Sequence, residues 1–191
     1  GFVSRMTRGR PWLRLKAAAS LDGKTALNNG QSQWITGPEA RQDGHRWRAR
    51  ACAILTGIGT VRDDDPQLNV RGVETPRQPI KVVVDSRLDI SPAARLFDGA
   101  PVWVACAVED TAKRAALQAR GAEVLVLPNA QGKVDLAALL QELGRRGINE
   151  VHAEAGFRLN GSLLRAGLVD ELLLYLAPCL IGHEASGLFN L

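Results

Sequence analysis

Short apolar segments alternate with helical patterns along most of this chain of 191 residues. We predict strands over the apolar runs, at 12–19, 51–56, 80–84, 102–105, 123–127, from 151, and at 170–177. Helices are predicted at 38–50, 111–120, 135–146 and 162–166. Strands that alternate with helices are typical of α/β domains with a largely parallel sheet. The sequence therefore predicts an α/β fold in which helices flank a mostly parallel central sheet.

Apolar residues make up 46% of the chain, which is enough to form a hydrophobic core. No apolar run approaches the roughly 18–20 residues of a membrane-spanning helix. The basic segment 1–14 also lacks the apolar centre of a secretion signal. We therefore expect a cytoplasmic protein that does not associate with membranes.

The three cysteines, Cys52, Cys106 and Cys179, are far apart and form no CxxC or Cys/His pair. An odd, scattered set of cysteines is typical of a reducing compartment. The sequence therefore predicts no disulfide framework and no metal site.

The charge balance is mildly basic, at +4, and arginines cluster in the first 50 residues. Nucleic acid is one candidate partner for such a cluster. Aromatic residues make up only 5% of the chain, however, and no finger or RNP pattern is present. A small phosphorylated ligand explains a few arginines equally well.

One stretch, 151–162, combines a short apolar run, a carboxylate at Glu154 and two glycines, Gly156 and Gly161, before a helix predicted from Ser162. Backbone N–H groups at a helix start are unpaired and favour an anion, and glycine lets a ligand approach the backbone. The stretch alone is equally consistent with a phosphate-binding turn and with a turn in which the glycines only provide the geometry.

Further polar groups follow other predicted strands, at the end of the sheet where ligands of parallel sheets bind. The Gly-Ile-Gly-Thr segment at 57–60 resembles part of a dinucleotide-binding turn, but Arg62 stands where the third glycine would be. Ser86 and Arg87 follow the strand at 80–84 and suit a ribose phosphate. A plain turn explains this pair about as well.

Three consecutive aspartates, at 63–65, precede Pro66. A solvated loop is the default interpretation. A metal site is an alternative, but the spacing lacks the glycine and the terminal glutamate of a calcium loop. A third interpretation directs one aspartate at a ligand. The residues by themselves thus indicate an α/β domain that binds a phosphate-bearing ligand.

Four segments in this order carry a family resemblance: Lys-Ala-Ala-Ala-Ser-Leu-Asp-Gly-Lys at 16–24, Ser-Gln-Trp-Ile-Thr at 32–36, Thr-Val-Arg-Asp-Asp-Asp-Pro-Gln-Leu-Asn-Val-Arg at 60–71, and Glu-Ala-Gly-x-x-Leu-Asn-Gly-Ser-Leu-Leu at 154–164. Together they resemble the reductase domain of the bifunctional riboflavin-biosynthesis deaminase/reductase. None of the four is specific alone. The start of the chain resembles the joint after the deaminase domain, so we interpret 1–10 as an interdomain linker remnant and 11–191 as the reductase domain.

The resemblance implies a dihydrofolate-reductase-like fold, NADPH as hydride donor, and 5-amino-6-(5-phosphoribosylamino)uracil as the substrate whose ribosyl group is reduced. A homodimer is also expected. The implied substrate contacts are Ser32, Arg48, Leu68, Arg71 and Glu154. The implied cofactor contacts are Ala18, Trp34, Thr60, Asp64, Ser86 and the loop Gly156, Phe157, Arg158, Leu159, Asn160, Gly161 and Ser162.

The chain departs from the family in two respects. The zinc-deaminase signature is absent, so we expect no deaminase activity here and a deaminase domain as the partner in the full-length protein. The family also continues beyond the position of Leu191, so we expect the reductase domain to be incomplete at its C-terminus.

Within the implied reaction, Lys16, Asp64 and Glu154 are the candidates for handling protons and orienting the substrate. Arg48 and Arg71 are predicted to clamp the 5′-phosphate, because a guanidinium binds phosphate with two parallel hydrogen bonds. Ser86 with Arg87 is predicted to recognise the 2′-phosphate of NADPH.

Two other functions remain open. A true dihydrofolate reductase would share the fold and would place an acidic side chain on an early helix, where Glu39 and Asp43 stand beside many arginines. A non-enzymatic nucleotide-binding or nucleic-acid-binding domain would use the segment 57–60 and the early arginines.

Overall fold

The computed structural model describes residues 1–26 and 36–191. Seven parallel strands form one sheet in the order β6-β5-β4-β3-β7-β1-β8. These strands are β1 (Trp12–Ser20), β3 (Ala53–Gly57), β4 (Ile80–Val84), β5 (Val102–Cys106), β6 (Ala122–Val126), β7 (Glu150–Ala153) and β8 (Glu171–Ala177); β2 (Lys24–Ala26) pairs antiparallel with β9 (Ser186–Gly187). The predicted α/β class and parallel sheet are confirmed.

The helices are α1 (Phe2–Arg8), α2 (Pro38–Arg50), α3 (Ile58–Asp64), α4 (Thr111–Gln118), α5 (Leu136–Arg145) and α6 (Phe157–Arg165). The helix α2 has the predicted bounds. The predicted start of α6 at Ser162 is wrong, because the extended backbone of Gly156 caps a helix that begins at Phe157. The helix α3 was not predicted, since the glycines of 57–60 and the acidic run have the composition of a loop.

Alternating strand residues bury apolar side chains on both faces of the sheet. Val82 belongs to one core cluster, which includes residues of α5 and α6, and the adjacent Val83 belongs to a second cluster, which includes residues of α3 and α4. Near β1 and β7 the second face is polar, with buried Arg14 and His152. Within the described ranges no helix has the length and apolar character needed to cross a membrane.

The first ten residues are held on the domain, although no element was predicted there. Asp170 accepts hydrogen bonds from Arg8, from Arg10 and from the backbone N–H of Leu13. Ser4 is buried, and its hydroxyl donates to the carbonyl of Arg10. The role of this segment as an interdomain linker stays a prediction.

We expect Gly144→Ala to lower the free energy of unfolding by about 1–3 kcal/mol, because a Cβ at this buried position of α5 would collide with the backbone of Gly9. Gly44→Ala in α2 is the matched control: its Cβ would meet nothing within 4 Å, so helix propensity should stabilise the variant by roughly 0.5–1 kcal/mol. Urea unfolding measures both. Equal changes would show that Gly144 is not needed for this contact.

Candidate functional site

A cleft of about 950 Å³ opens where the neighbouring strands β4, β3 and β7 end. Its walls come from three chain segments that follow these strands, together with one lysine from the loop before α5. The lining residues are Gly57, Ile58, Gly59, Thr60, Arg62, Asp63, Val84, Asp85, Ser86, Arg87, Asp89, Lys133, Gly156, Phe157, Arg158 and Leu159. The carboxyl ends of adjacent parallel strands thus form a single binding surface.

Two glycines bring the start of α3 close to the start of α6. A Cβ on Gly57 would stand 3.3 Å from Cδ2 of Leu159, and a Cβ on Gly156 would stand 3.6 Å from the hydroxyl of Thr60. The first N–H groups of α6 have no acceptor within the helix, and its dipole favours an anion at this end. The cleft therefore offers backbone donors at a position where the backbone is exposed to a ligand.

The structure divides the predicted cofactor contacts. Thr60, Ser86 and all of residues 156–159 line the cleft. Asn160 and Gly161 are buried inside α6, where a Cβ on Gly161 would collide with the backbone of Asn190. The hydroxyl of Ser162 donates to the carbonyl of Arg158. The predicted loop 156–162 is thus corrected to a cap and two helical turns, and only its first part faces the cleft.

The acidic run at 63–65 does not act as one group. Asp63 lines the cleft, and Asp65 accepts a hydrogen bond from the backbone N–H of Arg95 at 2.9 Å. Asp64 is exposed at the end of α3, and loss of hydration together with the charge of Asp63 raises its pKa. The structure does not bring Asp64 to the cleft lining. Among the described residues no cluster of metal-ligating side chains is found.

A second polar group, centred on Glu154, lies beside the cleft. Its carboxylate accepts hydrogen bonds from Arg48 Nε at 2.5 Å and from Arg48 Nη2 at 2.9 Å. Arg48 Nη1 donates to the carbonyl of Asn69 at 3.1 Å. Burial alone would raise the pKa of Glu154, but the charge and hydrogen bonds of Arg48 lower it to about 2. Glu154 is therefore an ionised acceptor at neutral pH, and Arg48 is already engaged.

Lys16 approaches the same group from β1, and its charge also lowers the pKa of Glu154. The Lys16 ammonium stands 5.6 Å from the ring centre of Tyr175 on β8. The hydroxyl of Tyr175 donates to Asp43 Oδ2 at 2.6 Å, and the same oxygen accepts from Trp47 Nε1 at 3.1 Å. The helix α2 and the strand β8 thus fix the aromatic surface next to Lys16.

His152 on β7 is fully buried, and neither of its ring nitrogens has a hydrogen-bond partner among the described residues. Its Nε2 lies 3.5 Å from Glu154 Oε1. Burial lowers the pKa of His152 to about 4; the charge of Glu154 opposes this shift, and the charges of Arg14, Arg48 and Lys16 add to it. The imidazole is therefore neutral at physiological pH.

Three further predicted contacts have different surroundings. Arg71 is exposed; its backbone N–H donates to His45 Nδ1 at 3.2 Å and its Nη1 donates to Gln67 at 3.1 Å. Leu68 is buried with a left-handed φ of 49°. Ala18 pairs with Tyr175 across β1 and β8, so it lies beside the Lys16 group. Ser32 and Trp34 lie outside the described residues.

Sequence reasoning missed Asp43, Tyr175 and His152 in this group. Asp43 and Tyr175 are 132 residues apart in the chain, and His152 reads as one more residue of an apolar strand. A signal was present only for His152, as a titratable side chain two positions before Glu154 on the same face of a strand.

A family model described as "RibD C-terminal domain" matches residues 11–191. The riboflavin biosynthesis protein RibD of Escherichia coli K12 is 42% identical over 204 aligned residues, which cover 100% of this chain and 54% of that protein. The protein of the same name from Bacillus amyloliquefaciens is 41% identical, with 95% and 49% covered. The chain therefore spans about half the length of the curated relatives it matches.

Solved structures give the same picture. Acinetobacter baumannii RibD superposes with a TM-score of 0.88 at 38% identity, over 100% of this chain and 52% of that one. A Thermotoga maritima protein described as a diaminohydroxyphosphoribosylaminopyrimidine deaminase/5-amino-6-(5-phosphoribosylamino)uracil reductase gives 0.80 at 27% identity, over 98% and 50%. The predicted dihydrofolate-reductase-like fold is confirmed.

We expect His152 to make the folded protein sensitive to mild acid. Its pKa falls from 6.5 to about 4 on folding, so between these values the unfolded state binds the extra proton and stability falls as the pH falls. His152→Leu should remove this loss. The difference in unfolding free energy between the variant and wild type should therefore change by on the order of 3 kcal/mol between pH 6.5 and about pH 4. Urea unfolding from pH 8 to pH 4 measures it.

The control for this experiment is His183→Leu, since the side chain of His183 is 94% exposed. Its difference from wild type should stay constant across the same pH range. A constant difference for His152→Leu as well would show that His152 titrates alike in the folded and unfolded states.

Proposed function

The chain belongs to the RibD C-terminal domain family, and we propose that it is a reductase that uses NADPH to convert the ribosyl group of 5-amino-6-(5-phosphoribosylamino)uracil into a ribityl group. The Thermotoga relative, whose description names this reductase, supports the substrate. We further propose that it acts in the cytoplasm as a homodimer, with a deaminase domain elsewhere in the full-length protein.

One observation carries the proposal: the residues that follow β7 contribute both to the cleft and to the polar group around Glu154. Glu154 follows this strand directly and joins the polar group with Arg48 and Lys16. Two residues later, Gly156 caps α6 at the wall of the cleft. A ligand in the cleft and a second ligand against Glu154 would therefore lie next to each other, as a transfer between two molecules requires.

The residues of the cleft fit a dinucleotide. A Cβ on Gly57 would press against Leu159 and a Cβ on Gly156 would contact Thr60, so both glycines keep space open at the wall of the cleft. We propose that the N–H groups at the start of α6 hold the diphosphate and that Ser86 lies towards the adenosine end. When bound there, NADPH would supply the hydride for ribose C1′.

The remaining chemistry falls to the polar group. Glu154, with its pKa lowered to about 2, stays ionised at neutral pH and accepts a hydrogen bond from the amino group of the pyrimidine. Arg48 positions Glu154, because its Nε and Nη2 donate to the carboxylate and its Nη1 donates to Asn69. Lys16 protonates the ring oxygen of ribose as the sugar opens. Asp64 has no part in this proposal.

The phosphate clamp is assigned to Arg71 alone. Its only side-chain hydrogen bond among the described residues is to the neutral Gln67, so its full charge remains for an anion. Arg48, in contrast, is neutralised by Glu154. Arg71 shares the 60–71 segment with Leu68, whose buried side chain anchors that segment beside the site.

The alternatives receive less support from the same contacts. A dihydrofolate reductase needs an acidic side chain of an early helix directed at its ligand. Asp43 is engaged by Tyr175 and Trp47, and Glu39 is exposed in the first turn of α2 and does not line the cleft. A nucleic-acid surface needs free arginines, but Arg8 and Arg10 pair with Asp170. Neither alternative accounts for a cleft that is bordered by Gly57 and Gly156 and lies beside the ionised Glu154.

The decisive measurement is NADPH oxidation in the presence of the aminouracil phosphate. We expect turnover that depends on this substrate, and a loss of about tenfold or more in Glu154→Gln, because a hydrogen bond to a charged group contributes roughly 1.5–3 kcal/mol. Full turnover by Glu154→Gln would remove Glu154 from the site. Dihydrofolate reduction, or salt-sensitive RNA binding without turnover, would support the alternatives instead.

Arg71→Ala should raise KM for the aminouracil phosphate on the order of tenfold or more while kcat changes little, because a charge-assisted bond to phosphate is lost from the ground state and the transition state alike. Arg114→Ala, which removes an exposed arginine paired with Glu109, is the control and should leave KM unchanged. An unaltered KM in Arg71→Ala would exclude the clamp.

A further inference from the structure

Three cationic side chains surround the carboxylate of Asp89, at the end of the cleft that the turn after β4 lines. Its Oδ2 accepts hydrogen bonds from Arg62 Nη2 at 2.7 Å and from Arg87 Nε at 3.1 Å, and its Oδ1 lies 3.9 Å from Lys113 Nζ. Arg62, Arg87 and Asp89 line the cleft. The two guanidinium groups come from different elements, α3 and the turn after β4, so one carboxylate holds them side by side.

The turn that carries Arg87 and Asp89 is fixed by its own contacts. Asp85 is buried, and its Oδ2 accepts the backbone N–H of Ile90 at 2.8 Å. Leu88, between the two charged residues, is buried with a left-handed φ of 52°. Such a conformation costs a side-chain-bearing residue about 1 kcal/mol or more and persists only where the surroundings enforce it. The positions of Arg87 and Asp89 are therefore set before any ligand binds.

Lys113 on α4 supports the same turn from outside, because its ammonium donates to the carbonyl of Arg87 at 3.2 Å. Lys113 also lies 4.0 Å from Asp110 Oδ2, so two carboxylates share its charge. Together Arg62, Arg87, Lys113, Asp89 and Asp110 carry a net charge of +1. The other charged residues that line the cleft, Asp63, Asp85, Lys133 and Arg158, have charges that sum to zero. The end of the cleft is therefore positive, and its cations are already ordered.

We propose that Arg62 and Arg87, held by Asp89, form a subsite for a phosphomonoester, and that this group is the 2′-phosphate of the dinucleotide. The inference rests on the proposed function. The net positive charge attracts a monoester dianion, and two guanidinium groups supply the parallel donors that phosphate binds best. Arg62 and Asp89 extend the Ser86–Arg87 pair that the sequence indicates: Arg62 is a second specificity-determining side chain, and Asp89 is a positioning residue.

The competing possibility is that Asp89 itself binds the ribose. An acidic side chain near the end of a strand recognises an unphosphorylated 2′-hydroxyl in many dinucleotide sites. The ion pairs oppose this role, since Asp89 Oδ2 already accepts from two guanidinium groups. The two assignments predict opposite preferences between nucleotides with and without the 2′-phosphate.

Binding titrations of the whole chain with adenosine 2′,5′-bisphosphate and with 5′-AMP test the subsite without any turnover. Wild type should bind the bisphosphate more tightly. Arg62→Ala should weaken it on the order of tenfold and leave 5′-AMP within about twofold. Arg62→Gln, which retains most of the side-chain length, should behave like Arg62→Ala. Arg120→Ala is the matched control: its side chain is 44% exposed, against 50% for Arg62, and pairs with Asp98 outside the cleft.

Asp89→Asn separates the two assignments. Under the proposal, Asp89→Asn releases Arg62 and Arg87 and weakens binding of the bisphosphate, while 5′-AMP and NADH bind no more weakly than to wild type. Weaker binding of both 5′-AMP and NADH would assign Asp89 to the ribose and overturn the proposal. Equal binding of both adenosine nucleotides by wild type, or an unchanged bisphosphate affinity in both Arg62 variants, would overturn it too.

Turnover measurements distinguish a failure of the subsite proposal from a failure of the proposed function. If the aminouracil phosphate drives NADPH oxidation but Arg62→Ala leaves the ratio of kcat/KM for NADPH over NADH unaltered, only the subsite fails. If neither nucleotide binds and no oxidation occurs, the proposed function fails and the subsite fails with it.

Discussion

The ion pair between Glu154 and Arg48 is the contact on which the arrangement of the site depends. It ties the middle of the sheet to α2, and through the carbonyl of Asn69 it also ties α2 to the 60–71 segment. Two charges at this depth are tolerated because each supplies the hydrogen bonds that the other loses on leaving water. Without Arg48 the carboxylate would be an uncompensated buried charge, so the pair fixes both the position and the ionisation state of Glu154.

The position of β7 in the sheet explains why Glu154 lies next to both the cleft and the Lys16 group. Its neighbours are β3 and β1. The cleft continues from β3 and β7 to β4, and the Lys16 group continues from β7 to β1 and β8. A parallel sheet places all these strand ends on one edge, so the short step from Glu154 to Gly156 joins two surfaces that are otherwise built from separate parts of the chain.

Local patterns predicted most of the strands, because a buried parallel strand is a short apolar run with few alternatives. They failed where a helix contains loop-like residues. Gly57 and Gly59 conceal α3, and Gly161 conceals the middle of α6, where close packing against Asn190 excludes any side chain. The family resemblance identified candidate site residues but not their contacts: the pairing of Arg48 with Glu154 spans 106 residues, and no local pattern records it.

The cations of this basic chain differ in whether a carboxylate offsets their charge. The net charge of +4 and the early arginines suggest a broad basic surface, yet Arg10 and Arg14 pair with Asp170 and Glu171. Such pairs are largely neutral to an approaching anion. Arg71 differs, since its side chain meets only a neutral amide among the described residues. Under the proposed function, Arg71 binds the substrate phosphate because no carboxylate offsets its charge among the described residues, whereas Arg10 and Arg14 hold parts of the fold together.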